Sequence, residues 1–163
     1  MRILLIGAYG FIGSGVARAL LAAGHDVIGF GRSERTARHI LPDIRWVIGD
    51  LNRMTRPQDW SAALSGIDAV VNASGALQDG GGDRLAAIQG NSISALIEAC
   101  ETIGVRHFVQ ISAPGATADD PSAFLSTKAM ADDRLAHSTL HWAILRPGLV
   151  IGRNAYGGTL LVR

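Results

Sequence analysis

The stretch Met1-Arg-Ile-Leu-Leu-Ile-Gly-Ala-Tyr-Gly-Phe-Ile-Gly13 decides the fold. Its first half is a short β-branched and apolar run, the pattern of a strand buried on both faces. Its second half is a G-x-x-G-x-x-G turn with glycine at 7, 10 and 13. From Ile12 to Ala23 apolar residues fall at helical spacing, and Gly24 supplies a residue that turns left-handed without steric cost. A second strand, Asp26 to Phe30, completes a strand, helix, strand unit. The glycine spacing has a mechanical reason. Gly7 permits a tight exit from the strand, Gly10 lets backbone approach a bound anion with no Cβ in the way, and Gly13 lets the helix pack close to the sheet. Amides at the helix start, aided by its dipole, then face a pyrophosphate, and Tyr9, Phe11 and Ile12 belong to the same candidate cradle. A glycine pattern alone is a weak signal; behind an apolar strand and before an amphipathic helix it is a strong one.

Working outward, further short runs read as strands at Arg45 to Ile48, Ala69 to Asn72, His107 to Ile111 and Trp142 to Leu145. Helices are expected after Ser33, after Pro57 as first-turn residue, over Arg84 to Ile103 closed by Gly104, and over Ser122 to Ser138. This alternation predicts an α/β chain: a doubly wound parallel sheet of the Rossmann type with helices on both faces. One domain spans residues 1–163, broken only by the loop Gly75 to Gly82. The last residues, GGTLLVR, read as the opening turn of a helix with no completed apolar face and no cap. The expectation is a domain truncated at its C-terminus, its substrate lobe short or absent.

Composition narrows the function classes. With 48% hydrophobic and 18% charged residues the chain can bury a core, and a net charge of +1 leaves no basic face for nucleic acid. The lone cysteine, Cys100, excludes an internal disulfide and lies in an apolar helical pattern, which points to a buried thiol. The apolar start breaks at Gly7 without a cleavage site, and no stretch is apolar enough to span a bilayer, so a cytoplasmic protein is expected.

At the end of the second strand, NAD sites typically place an acid that accepts from the ribose hydroxyls. This chain reads Gly31-Arg32-Ser33 instead. The arginine fork suits a 2′-phosphate, and Ser33 can add its hydroxyl or its N-cap position, so NADP(H) is favoured and NAD(H) is the alternative. Arg35 is a second phosphate contact or a surface charge. Asp50 and Leu51 are placed to border the adenine, with a turn aspartate as the other reading of Asp50. Ala73, Ser74 and Gly75 follow the fourth strand at the same edge, where small residues let backbone pass close to a ribose.

GAYGFIG, GRS, GDL, NASG, NSISALIEACETIGVRHFVQIS, the F-x-x-x-K segment and WAILRPGLVIG together resemble the short-chain dehydrogenase/reductase superfamily in its extended or atypical branch. VQISAPGA and the Ser-Thr-Lys helix look closest to the atypical subgroup related to the NAD(P)H-binding accessory subunit of respiratory complex I. The resemblance implies an oxidoreductase or epimerase whose serine, tyrosine and lysine handle protons and the nicotinamide ribose. Lys128 occupies the lysine position, but the tyrosine position four residues before it is Phe124, and the usual serine position is Ala113, leaving Ser112 just before it. Lys128 keeps its use, since its ribose contacts depend only on its own donors. Ser126 and Thr127 stand off the tyrosine's helical position. Ser112 orients a substrate or the nicotinamide, or caps the strand end; Asn91 serves a backbone or water link, or a helix start. Pro147 backs the nicotinamide, and the last two helices pair subunits into a homodimer, both by resemblance.

His137 and His141 are separated by Ser138 and Thr139, and Asp79 to Asp83 has too few carboxylates for calcium, so no metal site is expected. Two functions stay open: an enzyme acting on an unidentified small molecule with an altered catalytic group, or a non-catalytic NAD(P)H-binding structural or sensor module.

Overall fold

The computed structural model describes residues 1–76, 78–80, 82 and 84–151. Six parallel strands form one sheet: β1 (Arg2–Ile6), β2 (Asp26–Gly31), β3 (Arg45–Ile48), β4 (Ala69–Asn72), β5 (His107–Ile111) and β6 (His141–Leu145). Their order is β3-β2-β1-β4-β5-β6, the Rossmann arrangement. Ile6 at the end of β1 lies opposite Phe30 of β2 on one side and Asn72 of β4 on the other. The direction of winding reverses between β1 and β4, which opens a crevice beyond the carboxyl ends of those strands.

Two apolar layers hold the sheet, because alternate side chains of each strand face opposite ways. On one face Leu4, Ile6, Ile28, Phe30, Val70 and Phe108 pack with Ile93, Leu96, Ile97 and Cys100 of α3 (Ser92–Ile103) and Ala131 and Leu135 of α4 (Ala123–Ala136). On the other, Ile3, Leu5, Val27, Ala69 and Val71 meet Ala17 of α1 (Phe11–Ala22) and Leu41, which follows α2 (Glu34–Ile40). Beyond its first residue the central strand is sealed from water: Leu4, Leu5 and Ile6 are all fully buried. Helices cover both faces, as the alternation predicts.

The departures from expectation have local causes. The segment after Pro57 forms a single 3₁₀ turn, Pro57–Trp60, rather than an α-helix. Only a few residues separate Pro57 from Gly66, whose φ of 68° ends the segment, and a helix nucleus that short is marginal. The helix expected from Arg84 opens instead on a π-helical turn, Ala86–Asn91, which passes into α3 and places Asn91 inside the run rather than at its start. Gly90 permits α4 to pack against that turn: a Cβ there would stand 2.8 Å from Met130 Cε. The Asp79 carboxylate accepts from the Leu85 amide at 2.6 Å, so this loop residue caps the turn. Ser33 caps α2, its hydroxyl accepting from the Thr36 amide at 3.2 Å. Asp83 and the GGTLLVR segment lie outside the described residues. Among the described residues no helix is long and apolar enough to cross a membrane.

Candidate functional site

The β1–α1 turn shows why its residues are glycine. Gly7 has φ 74°, and a Cβ there would meet the Ala73 carbonyl and the Ser74 backbone at 2.9 Å. Gly13 sits under the turn, where a Cβ would lie 2.1 Å from the Gly7 carbonyl oxygen. Close contact between helix and turn, more than between helix and sheet, therefore fixes glycine at 13. Gly10 is the N-cap of α1 and offers the helix no side-chain acceptor, and no acid stands in the first turn. The positive end of a twelve-residue helix thus opens toward the crevice.

A cleft of about 540 Å³ lies there, lined by Gly7, Tyr9, Gly10, Arg32, Asp50, Leu51, Ala73, Ser74 and Gly75 from the sequence-predicted set. Gly31 and Gly49, which open the Gly31-Arg32-Ser33 and Gly49-Asp50-Leu51 segments read from sequence, also line it, and Phe30 and Ile88 complete it from outside that reading. Phe30 adjoins Gly31 at the end of β2, where the strand drawn from sequence stops one residue short of the observed one. Phe11, Ile12, Gly13, Ser33, Ser112, Lys128 and Pro147 are outside this lining. The volume is that of an ordinary small-molecule site.

Polar contacts shape the walls. Asn72, buried at the end of β4, accepts from the Ser74 amide at 3.0 Å and the Ser74 hydroxyl at 2.6 Å, and donates to Gln110 of β5 at 2.9 Å. That pair sets the path of Ala73 to Gly75 along the cleft. Asp50 accepts from the Asn52 amide at 3.0 Å and side chain at 3.1 Å, an Asx turn, while still lining the cleft. The turn role of Asp50 is thus shown by its hydrogen bonds, and the residue stands at the cleft edge.

Lys128, with only 6% of its surface exposed, adjoins this wall. Its Nζ would lie 3.5 Å from a Cβ at Gly75, and the Gln89 Oε1 2.9 Å from the same point. Gln89 projects from the π-helical turn; its Nε2 donates to the Ala76 carbonyl at 3.2 Å, and its buried Oε1 has no partner among the described residues. Lys128 donates to the Ile111 carbonyl at 3.1 Å. Burial pulls its pKa below the ordinary lysine value, with the nearby Asp132 carboxylate opposing the shift. The Phe124 ring faces the ammonium, 5.7 Å from Nζ to the ring centre.

The hydroxyls around Lys128 are committed. Thr127 donates to the Ala123 carbonyl at 2.6 Å and Ser126 to the Ser122 carbonyl at 3.1 Å, both back to their own helix. Ser112 donates to Asp132 at 2.7 Å, and Arg146, at the end of β6, donates to the same carboxylate oxygen at 3.0 Å. Asp132 is 4% exposed and escaped the sequence reading, although its place four residues beyond Lys128 puts it on the same helix face. Among the described residues no group of three metal-ligating side chains converges.

A glycine turn over an uncapped helix, at the reversal point of a parallel sheet, is the geometry that receives a dinucleotide diphosphate. The family model for NAD(P)H-binding domains matches residues 7–161. The chain belongs to that NAD(P)H-binding family. Its relatives include a 2-alkyl-3-oxoalkanoate reductase of Stenotrophomonas maltophilia, 29% identical over 93% of this chain and 52% of the relative. Another is an NAD(P)H azoreductase of Xenophilus azovorans, 30% identical over 90% of this chain and 47% of the relative. The chain therefore spans about half the length of the curated relatives it matches. Among solved structures, a Bacillus halodurans protein provisionally classed as an NAD-dependent epimerase/dehydratase superimposes with a TM-score of 0.81, at 28% identity over 96% of this chain and 74% of that one. A short-chain dehydrogenase/reductase superfamily protein of Agrobacterium tumefaciens with bound NAD gives 0.70, at 25% identity over 90% of this chain and 48% of that one. The NAD(P)H-binding family and the short-chain dehydrogenase/reductase superfamily thus meet in this fold.

Proposed function

We propose that this domain binds NADP(H) in preference to NAD(H) and serves a short-chain dehydrogenase/reductase-like oxidoreductase or epimerase with an altered catalytic group. The residues suit the dinucleotide. The α1 amides at Gly10 to Gly13 would hold the diphosphate, and Asp50 and Leu51 the adenine side. Arg32 would meet the 2′-phosphate, and Ser33 would add its main-chain amide, since its hydroxyl caps α2. Ser74, Gly75 and Lys128 would border the nicotinamide ribose, with Pro147 behind the ring. The bound cofactor supplies hydride; the chain supplies position and charge.

The observation that carries this reading is Lys128, a buried amine beside Gly75 at the cleft wall, next to a glutamine oxygen with no partner among the described residues. A buried ammonium carries three donors that need acceptors, and the Ile111 carbonyl takes one of them; two ribose hydroxyls would offer both a further acceptor for Nζ and a donor for Gln89 Oε1. Lys128 and Ser112 are the candidate catalytic pair, with Ser112 held toward Asp132 and the phenol replaced by the Phe124 ring.

A second reading, a binding module without turnover, is favoured by one observation. Among the described residues, the Ser112, Ser126 and Thr127 hydroxyls near Lys128 all donate to protein acceptors, so none of the three stands ready to protonate a substrate oxygen. Titration and turnover separate the claims. Arg32→Ala is expected to weaken NADPH at least tenfold more than NADH in a fluorescence titration, and equal losses would reject the 2′-phosphate assignment. NADPH oxidation with ketone or aldehyde substrates by the unaltered protein supports the enzyme; binding without oxidation supports the module.

A further inference from the structure

Tyr9 occupies a place in the cleft that the glycine turn does not require. It lies between Gly7 and Gly10, yet its side chain reaches across to the end of β2. The ring lies so close on Gly31 that a Cβ there would stand 2.3 Å from Tyr9 Cε1. It also stacks on Trp46 of β3, with ring centres 5.7 Å apart and planes 30° apart. Trp46 is itself pinned, its indole donating to the Leu41 carbonyl at 3.1 Å. At the far end of the ring, the Tyr9 hydroxyl oxygen accepts from two main-chain amides, Arg32 at 3.0 Å and Ser33 at 3.4 Å. Two consecutive donors just beyond β2 therefore converge on one oxygen.

The end of β2 is where an adenosine ribose and any 2′-phosphate on it come to rest in this fold. Two adjacent amides beside an arginine make a natural anion seat. Here a neutral phenol already fills it. We infer that Tyr9 is the residue that sets discrimination between the two dinucleotides: its hydroxyl stands in for the 2′-phosphate at the Arg32 and Ser33 amides. The phosphorylated cofactor must push the hydroxyl off, whereas the unphosphorylated one binds with it in place. This rests on the dinucleotide reading of the cleft. It opposes, without cancelling, the pull of Arg32: the arginine raises affinity for the 2′-phosphate and Tyr9 holds it down. Amide bonds to a phosphate are roughly twice as strong as those to a neutral oxygen, so displacement is feasible but costs affinity. The sequence shows the device only as a bulky residue in the turn; its reach to Arg32 depends on Gly31 lacking a side chain.

Tyr9→Phe removes the hydroxyl and keeps the ring on Gly31 and Trp46. Isothermal titration of the unaltered protein and of Tyr9→Phe with NADPH and with NADH is the test, and Tyr9→Ser repeats it with the ring removed. The expected result is an NADPH affinity about five- to tenfold higher in Tyr9→Phe, NADH affinity within about twofold, and a ratio shifted in the same direction by Tyr9→Ser. An unchanged ratio in both variants overturns the inference. So does a fall in NADPH affinity, which would make the phenol a donor to the phosphate. If neither nucleotide binds any of the three proteins while all melt cooperatively, the dinucleotide reading itself fails, a result distinct from an unchanged ratio.

Discussion

Gly10→Ala and Gly13→Ala, three residues apart in one turn, should fail in opposite ways. Gly10 has φ −69° and ψ 175°, extended backbone that alanine adopts freely. Its added methyl would meet only the Gly7 carbonyl oxygen, at 3.1 Å, and a shift of a few tenths of an ångström relieves that. Alanine also reduces the freedom of the unfolded chain, worth about 0.4–1 kcal/mol, so net stability should stay within about 1 kcal/mol. For a chain of this size that is a Tm change of about 2–4 °C or less. The methyl nonetheless stands at the helix cap beside the cleft. Displacing the diphosphate from one amide forfeits a hydrogen bond to a charged group, about 1.5–3 kcal/mol, or roughly ten- to a hundredfold in Kd. Gly13→Ala puts its methyl 2.1 Å from the Gly7 carbonyl oxygen, an overlap of more than an ångström against a turn held by the Gly10 amide bond to Gly7 at 2.9 Å. Overpacking of that kind costs about 1–3 kcal/mol or more, a Tm lower by about 2–12 °C. Thermal melts followed by circular dichroism, with calorimetric titration of NADPH and NADH, separate the two. A Gly10→Ala protein that binds as tightly as the unaltered one would refute the diphosphate cradle, and a Gly13→Ala protein with an unchanged Tm would refute the packing account.

Three further outcomes follow from the environment of α4 and α3. The Lys128 pKa is lowered by burial, so between that lowered value and the ordinary 10.5 the unfolded chain binds more protons than the native one. Stability therefore rises with pH through that window, and the penalty is fully present below it. Lys128→Met should flatten this rise in urea titrations while weakening both nucleotides about tenfold; a retained pH slope would mean that another group carries it. Phe124→Tyr returns a phenol one helical turn before Lys128 and should gain carbonyl reduction by NADPH, whereas robust turnover before the change would show that the phenol is dispensable. The Cys100 thiol is fully buried and its pKa pushed up to about 12, first by burial and then by Glu101. It should resist iodoacetamide at pH 8 in the native state and react once unfolded in urea, and rapid native labelling would contradict the packing of α3.

The turn at residues 7–13 revealed the fold because each of its glycines meets a local demand, and local demands are written in sequence. The strands were legible for the same reason: both faces of β1 and β4 are buried, so Ile3 to Ile6 and Ala69 to Val71 are apolar without interruption. The 3₁₀ turn at Pro57–Trp60 and the π-helical turn at Ala86–Asn91 were not, since each depends on where neighbouring elements pack rather than on periodicity. The cleft lining was read well where it lies at strand ends. For Ser112 the sequence leaves open a ligand-orienting role and a strand-end cap, and the bond its hydroxyl makes to Asp132, twenty positions away on another element, is in neither reading. Gln89 escaped similarly, and of Tyr9, placed in the cradle from sequence, the reach of the side chain escaped. Their roles lie in what their side chains reach across the sheet, to Gly75 and to Arg32, and spacing along one chain carries no trace of that.

The central claim is that main-chain amides of the Gly7–Gly13 turn receive a pyridine dinucleotide. Calorimetric titration of the unaltered chain with NADPH and with NADH, with Gly10→Ala as the folded control, tests it most directly. Saturable heat with a Kd below about 1 mM, around −4 kcal/mol or stronger, and a Kd raised roughly ten- to a hundredfold in Gly10→Ala are the predicted result. No heat and no thermal stabilisation with either nucleotide at millimolar excess would contradict it.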